Sequence, residues 1–351
     1  MRLRVLSHVV WFIIVSLTCV RLYTYLHIKE PFNTGVTCQQ NWQSLRKICV
    51  LIENTRQNCI SKLWQYLPSP HSELLLGMVV GSDYLEYVPG FEENLLRTGT
   101  VHVVVVSGYN ISLVFGMVIS VLGTRYRLRN VLMAELVTFI YAAFSGLQLP
   151  VVRSWIMGSI ASLGKYYGRS IAAEKLLIFS ALFMLLLSPN LVSSASFHLS
   201  FLACLSLLFY NNGVSHFIAR ISKKRMTDVS WFHVLIDDFS TSVSAQILVW
   251  PYISYKFGRV SLISPFVNSL ILWTVPVSTV LGFLLLPLTF VSHLLSTIVA
   301  YIVYVPLDIF ISAVSFFGRF SLFYLDYQIP FLFLISYYVF LLVIRFLSRG
   351  R

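Results

Sequence analysis

TGTVHVVVVSGYNISLV, at residues Thr98–Val114, is apolar enough to enter a lipid bilayer, yet it carries a histidine, a serine–glycine pair and an asparagine. These polar positions are His102, Ser107, Gly108 and Asn110. Lipid offers no hydrogen-bond partners, so polar groups at membrane depth must be satisfied inside the protein. Because such groups are costly in a bilayer, they commonly mark a translocation path. The stretch therefore predicts a membrane-embedded element with a polar function.

The composition of the whole chain indicates the same compartment. Hydrophobic residues make up 57% of the 351 residues and charged residues only 11%, and the mean hydropathy is +0.77. A soluble domain usually carries about 25% charged residues. Apolar runs of roughly 20 residues recur along the chain, whereas a transmembrane barrel would show alternating segments of about ten. The sequence thus predicts an all-α polytopic membrane protein.

Hydropathy predicts about ten transmembrane helices, each bounded to within a few residues. The predicted spans are 5–22, 100–122, 131–149, 151–166, 174–188, 194–211, 234–255, 262–286, 289–317 and 330–347. The run 73–88 is too short and too acidic for a span, so we predict an interfacial or re-entrant helix there. At least one element is expected to be discontinuous or re-entrant. If the helix breaks at Ser107–Gly108, the side chains of His102, Ser107 and Asn110 converge on a polar cavity.

Three segments follow from this pattern. Residues 1–22 are predicted to be an uncleaved N-terminal membrane anchor. Residues 23–72 are predicted to be an extracytoplasmic linker, too short and irregular for a core of its own, and residues 73–347 to be the transmembrane domain. The linker holds three of the five cysteines, Cys38, Cys49 and Cys59. Either one pair forms a disulfide with one thiol left over, or all three stay unpaired.

The chain has a formal net charge of +12. Its basic residues are arranged as the positive-inside rule for membrane proteins predicts. Basic residues recur in the short segments 125–129, 165–175 and 220–225, whereas the turns near 148–150 and 188–193 carry no charge. Cytoplasmic loops retain Lys and Arg, and such loops also contact anionic lipids. We therefore expect a multi-pass protein of the cytoplasmic membrane with both termini in the cytoplasm, and the charge alone does not indicate nucleic-acid binding.

The sequence carries no local signature of enzyme chemistry. The eight histidines show neither the HxH nor the HExxH spacing that would predict a zinc site. The segment GSIASLGK at 158–165 is not a phosphate-binding loop, because five residues separate its glycines. We expect no enzymatic activity, no catalytic residues, no metal and no cofactor.

Several polar residues in apolar runs are interpreted as structural. Glu135 is placed one turn into a helix that is predicted to begin near Asn130, where a carboxylate complements the helix dipole. Gln246 and His293 are single polar groups in their predicted spans, a pattern typical of hydrogen bonds between membrane helices. The Gly77-x-x-x-Gly81 motif favours close helix approach, within the chain or in a homodimer.

Four stretches of the chain form a set, in a fixed order. They are LLLGMVVGSDY at Leu74–Tyr84, GTVHVVVVSGYNISLV at Gly99–Val114, LPVVRSWIM at Leu149–Met157 and SPNLVSSASFHLSFLA at Ser188–Ala203. The set resembles the signatures of the ComEC competence family, including its Pro-x-x-Arg helix start and its Phe-x-Leu-Ser-Phe segment. The resemblance covers about residues 70–215, and the later helices match by hydropathy.

The resemblance implies an inner-membrane channel that takes up single-stranded DNA during natural transformation. It assigns a substrate path to three of these stretches, which are called the first motif (Gly99–Val114), the second motif (Leu149–Met157) and the third motif (Ser188–Ala203). The path residues are His102, Ser107, Gly108, Asn110, Arg153, His198 and Ser200. Asn110 stands where the family has a second histidine, and His198 where a glutamine is usual. The family's oligonucleotide-binding-like and metallo-β-lactamase-like domains are not found beside the membrane domain. We therefore expect a separate nuclease and separate cytoplasmic motor or DNA-binding proteins to act with it.

The residues themselves leave alternatives open. His102 and Ser107 either line a polar path or join helices by bonding nearby carbonyls. Arg153, placed in the first turn of a helix that begins at Pro150, either binds a phosphate at the outer mouth or has a structural partner. This partner is an acid, namely Asp83, Glu86 or Glu135, or a lipid phosphate that the side chain reaches at the membrane surface. A secondary transporter of a small anionic or lipid-like substrate and a non-transporting membrane scaffold are the rival functions.

Overall fold

The computed structural model describes residues 14–22, 43–81, 84–123, 127–221, 230–320 and 324–349. It is mostly helical, at 84%. The start of the predicted anchor, Cys38, the side chain of Cys49, Asp83 and the basic residues 223–225 lie outside the described residues. The chain divides into two compact units. The first unit comprises Met1–Cys59 and Ser107–Phe201, and the second comprises Ile60–Val106 and Leu202–Arg351.

The helices follow one another along the chain with short connections. In order they are α1 (14–22), α2 (Gln43–Leu63), α3 (His71–Val80), α4 (Pro89–Thr98), α5 (Val101–Val104), α6 (Gly108–Leu122), α7 (Leu128–Phe144), α8 (Leu149–Tyr166), α9 (Ala173–Leu187), α10 (Ala195–Ile221), α11 (Ser230–Phe257), α12 (Ser264–Ile271), α13 (Thr274–Val291), α14 (His293–Gly318) and α15 (Phe331–Arg349). Short 3₁₀ helices occupy Leu85–Tyr87 and Pro189–Ser193, and β1 (Arg259–Ser261) pairs antiparallel with β2 (Tyr324–Asp326).

The first unit is built around α6, α7, α8 and α9. A cluster of the buried residues Ile156, Met184 and Phe197 joins α8, α9 and the start of α10. Helix α8 has Pro150 in its first turn, where a missing backbone N–H costs nothing because that group has no partner within the helix. The observed range of α8 lies close to the predicted span 151–166.

The second unit surrounds α3, in which every residue is buried. Helix α3 therefore exposes no face of its own, and an interfacial position for the run 73–88 stays a prediction. Gly77 explains the close packing: a Cβ at this position would lie 2.7 Å from the carbonyl oxygen of Val104. On α13, Gly282 similarly leaves room for the side chains of Leu75 and Val79. A re-entrant course for α3 stays a prediction.

Some predicted boundaries differ from the observed ones. The predicted span 262–286 is divided between α12 and α13. Helix α14 begins at His293 because Ser292 adopts an extended conformation and its side chain accepts a bond from the N–H of Leu295, which caps the new helix. His293 is therefore an exposed residue at a helix start that contacts the ring of Tyr66, and not a polar group deep in a span.

Among the described residues, fewer helices than predicted are long and apolar enough to cross a bilayer. Within the described residues, four segments are long and apolar enough to cross a bilayer: Val101–Leu122, Ala195–Ile221, Thr274–Val291 and His293–Gly318. The other predicted crossings, and hence the count of ten, stay predictions. The predicted irregular linker also needs correction, because its residues Gln43–Leu63 form the regular helix α2. Cys59 in this helix carries a free thiol, and burial raises its pKa.

We predict that Gly77→Ala lowers the free energy of unfolding by about 1–3 kcal/mol, because the added methyl group meets a backbone carbonyl that cannot rotate away. The measurement is thermal unfolding of the purified protein in detergent. Gly213→Ala in α10 is the matched control, since nothing lies within 4 Å of its new methyl group. The control should be neutral or gain up to about 1 kcal/mol from helix propensity. Equal unfolding temperatures for both variants would contradict this packing.

Candidate functional site

The first motif contains a break in the helical backbone. Helix α5 ends at Val104, Val105 and Ser107 are extended with ψ angles of 145° and 165°, and α6 begins at Gly108. The backbone N–H of Asn110 donates to the carbonyl of Ser107 at 3.1 Å, which starts the new helix. The helical backbone is therefore interrupted at Val105–Ser107, directly before Gly108. A break of this kind in an apolar segment places polar backbone groups where a regular helix would have none exposed.

Gly108 allows the start of α6 to approach α8 closely. A Cβ at Gly108 would lie 1.9 Å from the hydroxyl oxygen of Ser154 and 2.8 Å from its Cβ. Ser154 donates its own hydroxyl hydrogen to the carbonyl of Pro150 at 2.8 Å, so it is held in place within α8. The first and second motifs thus meet at this crossing. Two residues further along α6, the buried Asn110 interacts with the Tyr141 hydroxyl of α7.

Arg153 joins the second motif to the third. Its guanidinium donates to the backbone carbonyl of Ser200, and it lies 5.7 Å from the centre of the Phe201 ring. The residue is only 8% exposed. Because α8 begins at Leu149, Arg153 lies in its second turn, beyond the predicted first-turn position, and the unfavourable dipole at the helix start is weaker there.

The predicted path residues differ in their burial and in the unit to which they belong. His102 is exposed and belongs to the second unit, with its ring within hydrogen-bonding reach of the Gly99 backbone. The other predicted path residues belong to the first unit. His198 is half-buried beside the ring of Phe197, and the buried hydroxyl of Ser200 has no hydrogen-bond partner among the described residues. Of the predicted set, Arg153 and Ser200 are in direct contact, and a path lined by all of them stays a prediction.

A small cavity with a largely apolar lining and a few polar groups lies beside these motifs, and nothing in the sequence predicted it. It has a volume of about 120 Å³ and lies among α6, α7 and α8. None of the predicted path residues lines it. Its lining residues are Ile111, Ser112, Phe115, Glu135, Thr138, Ser154, Trp155, Gly158 and Ser159. The cavity is large enough for a small ion or a few water molecules, since one water occupies about 30 Å³ in the liquid.

Glu135 is the charged group of this cavity. Both of its carboxylate oxygens accept hydrogen bonds, from the hydroxyl of Ser159 and, at 2.6 Å, from that of Ser162. The interpretation of Glu135 as an acid near the helix start is wrong, because α7 begins at Leu128 and the dipole effect fades within the first turn. The spacing Ser159-x-x-Ser162 does put both hydroxyls on one helix face, but only the packing of α7 against α8 reveals their partner.

A second polar cluster surrounds the beginning of the first motif, within the second unit. The hydroxyl of Ser264 donates to the carbonyl of Gly99 at 3.3 Å, and it accepts bonds from Gln246 at 3.1 Å and Asn268 at 3.3 Å. Gly99 has a φ of 69°, and a Cβ there would lie 2.8 Å from the Cβ of Ser264. The interpretation of Gln246 as a link between helices is confirmed, since its bond joins α11 to α12.

The second unit also contains a buried histidine paired with an acid. The Nε2 atom of His71 lies 3.3 Å from an Asp308 carboxylate oxygen, and the His71 ring stacks on Tyr304 with 4.2 Å between ring centres. Asp308 belongs to α14, one of the apolar segments long enough to cross a bilayer. Sequence reasoning gave no role to either residue, because their pairing joins parts of the chain 237 positions apart.

The fold and the site together define a helical membrane protein with a broken apolar segment and small-residue helix crossings. The chain matches the competence protein family over residues 86–351. This match covers most of the chain and includes the first, second and third motifs. The chain therefore belongs to the competence protein family.

Comparison with individual proteins adds one curated relative. The chain is 32% identical over 119 residues to an uncharacterized protein of Mycoplasma genitalium. The aligned region covers 34% of this chain and 31% of the relative, so the chain spans about a third of that protein's length. No solved structure matches the chain.

We predict that Gly108→Ala destabilises the protein by about 1–3 kcal/mol, because its methyl group overlaps Ser154. Thermal unfolding in detergent provides the measurement. Gly116→Ala in the same helix is the control, since its methyl group would meet nothing within 4 Å. The double variant Gly108→Ala/Ser154→Gly should recover part of the loss. If the single variant unfolds at the temperature of the control, the crossing of α6 and α8 is not as close as described.

Proposed function

We propose that the protein is a channel of the cytoplasmic membrane that takes up single-stranded DNA during natural transformation. The observation that carries this proposal is the competence family match over residues 86–351. Family membership indicates a role in competence, and the apolar helices indicate the membrane. The channel itself is the finer step, and the broken segment Val101–Leu122 supports it, because non-helical backbone in lipid is tolerated where it lines a cavity or lies within protein.

The path is proposed to follow the polar side of the broken segment. Ser107 and Gly108 lie at the break itself, and Asn110 follows in the first turn of α6. His102 lies in the short helix before the break. Polar groups at these positions would replace part of the hydration of a polyanion while it passes through the bilayer. His198 and Ser200 are assigned to the same path through the third motif.

We propose that the main role of Arg153 is to hold the helices of the path in place, and that it does not bind phosphate directly. A phosphate-binding arginine at a channel mouth presents its forked guanidinium to the ligand. The Arg153 guanidinium is instead buried against the Ser200 carbonyl and the Phe201 ring. This arrangement favours a role in fixing α8 to the start of α10. The phosphate-binding role predicted from the sequence requires the guanidinium to leave these contacts.

The channel is proposed to work with other components. A separate nuclease and a cytoplasmic motor or DNA-binding protein are the proposed partners, together with anionic lipids and a second copy of the chain as a homodimer. A multi-pass topology with both termini in the cytoplasm completes the proposal.

A secondary transporter of a small solute is the second candidate. The specific observation in its favour is the cavity of about 120 Å³ in the first unit, which has the size of a small ion and not of a nucleotide. Its carboxylate favours a cation over the anionic substrate considered from the sequence. A transporter would move this solute without DNA, whereas a channel for DNA would not.

The test of the DNA channel uses a transformable host that lacks its own channel gene and receives this chain. We predict that Arg153→Ala reduces transformation by about tenfold or more, since it removes a charge-assisted hydrogen bond worth about 1.5–3 kcal/mol. Arg97→Ala is the control, because Arg97 is exposed and pairs only locally with Glu93 in α4. Membrane levels of each variant are measured by immunoblot. Normal transformation with Arg153→Ala, or no transformation with the inserted wild-type chain, would contradict the proposal.

A further inference from the structure

We propose that the cavity around Glu135 is a binding site for a hard monovalent cation, with Na⁺ as its ligand. The site lies within the first unit and is formed by residues of α6, α7 and α8. The inference goes beyond DNA uptake, because the binding of a cation is measured without DNA. It rests on the donor atoms of the site, on its charge and on its size.

The donor atoms are oxygens. Glu135 contributes a carboxylate, and Ser159 and Ser162 contribute hydroxyls that already face it. Ser112 and Ser154 bring further hydroxyl-bearing side chains to the lining. A serine hydroxyl has one donor hydrogen and two acceptor lone pairs, so it can donate to the carboxylate and coordinate a cation at the same time. Oxygen ligands without nitrogen or sulfur suit hard cations and disfavour soft transition metals.

The charge of the site selects a monovalent ion. Glu135 is the only charged side chain among the residues that line the cavity, and the lining contains no Lys, Arg or His within the described part of the chain. A single carboxylate in an apolar helix bundle is costly unless a positive charge accompanies it. One Na⁺ neutralises the site, whereas a divalent cation would leave an uncompensated positive charge in the same surroundings.

The position of the site connects it to the motifs of the family. Trp155 donates its indole N–H to the Glu135 carbonyl at 3.4 Å, and Ser154, the partner of Gly108 at the helix crossing, lines the same cavity. A cation between α6, α7 and α8 would therefore stabilise the packing of the first and second motifs. Ion binding would therefore affect the position of the start of α6, next to the break.

The experiment measures thermal unfolding of the full chain in detergent while NaCl replaces choline chloride at constant ionic strength and pH. We expect a saturable rise in the unfolding temperature, on the order of 5 °C when Na⁺ exceeds its dissociation constant about a hundredfold. Binding of radioactive sodium to the same protein should saturate at one ion per chain. Glu135→Gln should abolish both effects because it removes the charge but keeps the shape of the side chain.

The controls separate this site from general salt effects. Glu86→Gln removes an exposed acid of the second unit, and Ser120→Ala removes an exposed hydroxyl of α6 that bonds only Met117 of its own helix; both variants should keep the sodium effect. Ser162→Ala should weaken it and provides the test if Glu135→Gln does not fold. No difference between sodium and choline in the wild-type chain would overturn the proposal. An unchanged sodium effect in Glu135→Gln, or stabilisation by protons alone, would also overturn it.

Discussion

Polar atoms inside an apolar helix bundle must find partners within the protein, and this requirement accounts for most of the local architecture. Many hydroxyls bond the preceding turn of their own helix, as Thr138 does to the carbonyl of Ala134 and Ser296 to that of Ser292. Such bonds hide polar groups at little cost in lipid. Other polar groups instead bond across helices, and Arg153 and its partner Ser200 are two of them that lie in family motifs. Arg153, Glu135 and Gln246 are the clearest examples.

Close helix approach is the second requirement, and small residues provide it. Lipid tails are as apolar as leucine, so membrane helices associate through tight packing more than through the hydrophobic effect. Gly108 against Ser154 and Gly77 against Val104 are contacts that no larger residue could make without displacement. The same crossings bring Ser154 to the cavity of Glu135. Packing and polar chemistry are therefore coupled at one place in the first unit.

The sequence was sufficient to predict the class of the fold and several helices. The range of α8 and the break before Gly108 follow from local signals, a proline in the first turn and a serine–glycine pair in an apolar run. Interactions between distant segments carry no such signal. The burial of α3 and the pairing of His71 with Asp308 depend on which helices become neighbours. Hydropathy separates α13 from α14 but places their boundary near residues 287–288, because the cap at Ser292 interrupts the backbone without interrupting the apolar run.

The motifs of the competence family thus acquire distinct physical roles. The first motif supplies a break and a close crossing, the second supplies the buried cation Arg153, and the third supplies the carbonyl that Arg153 binds. The break is the feature on which the proposed path depends. Electron cryo-microscopy of the full chain in a lipid nanodisc tests it most directly. We expect extended backbone at Val105–Ser107 and contact between Gly108 and Ser154. A continuous helix through 101–122 would show that the proposed path has no break.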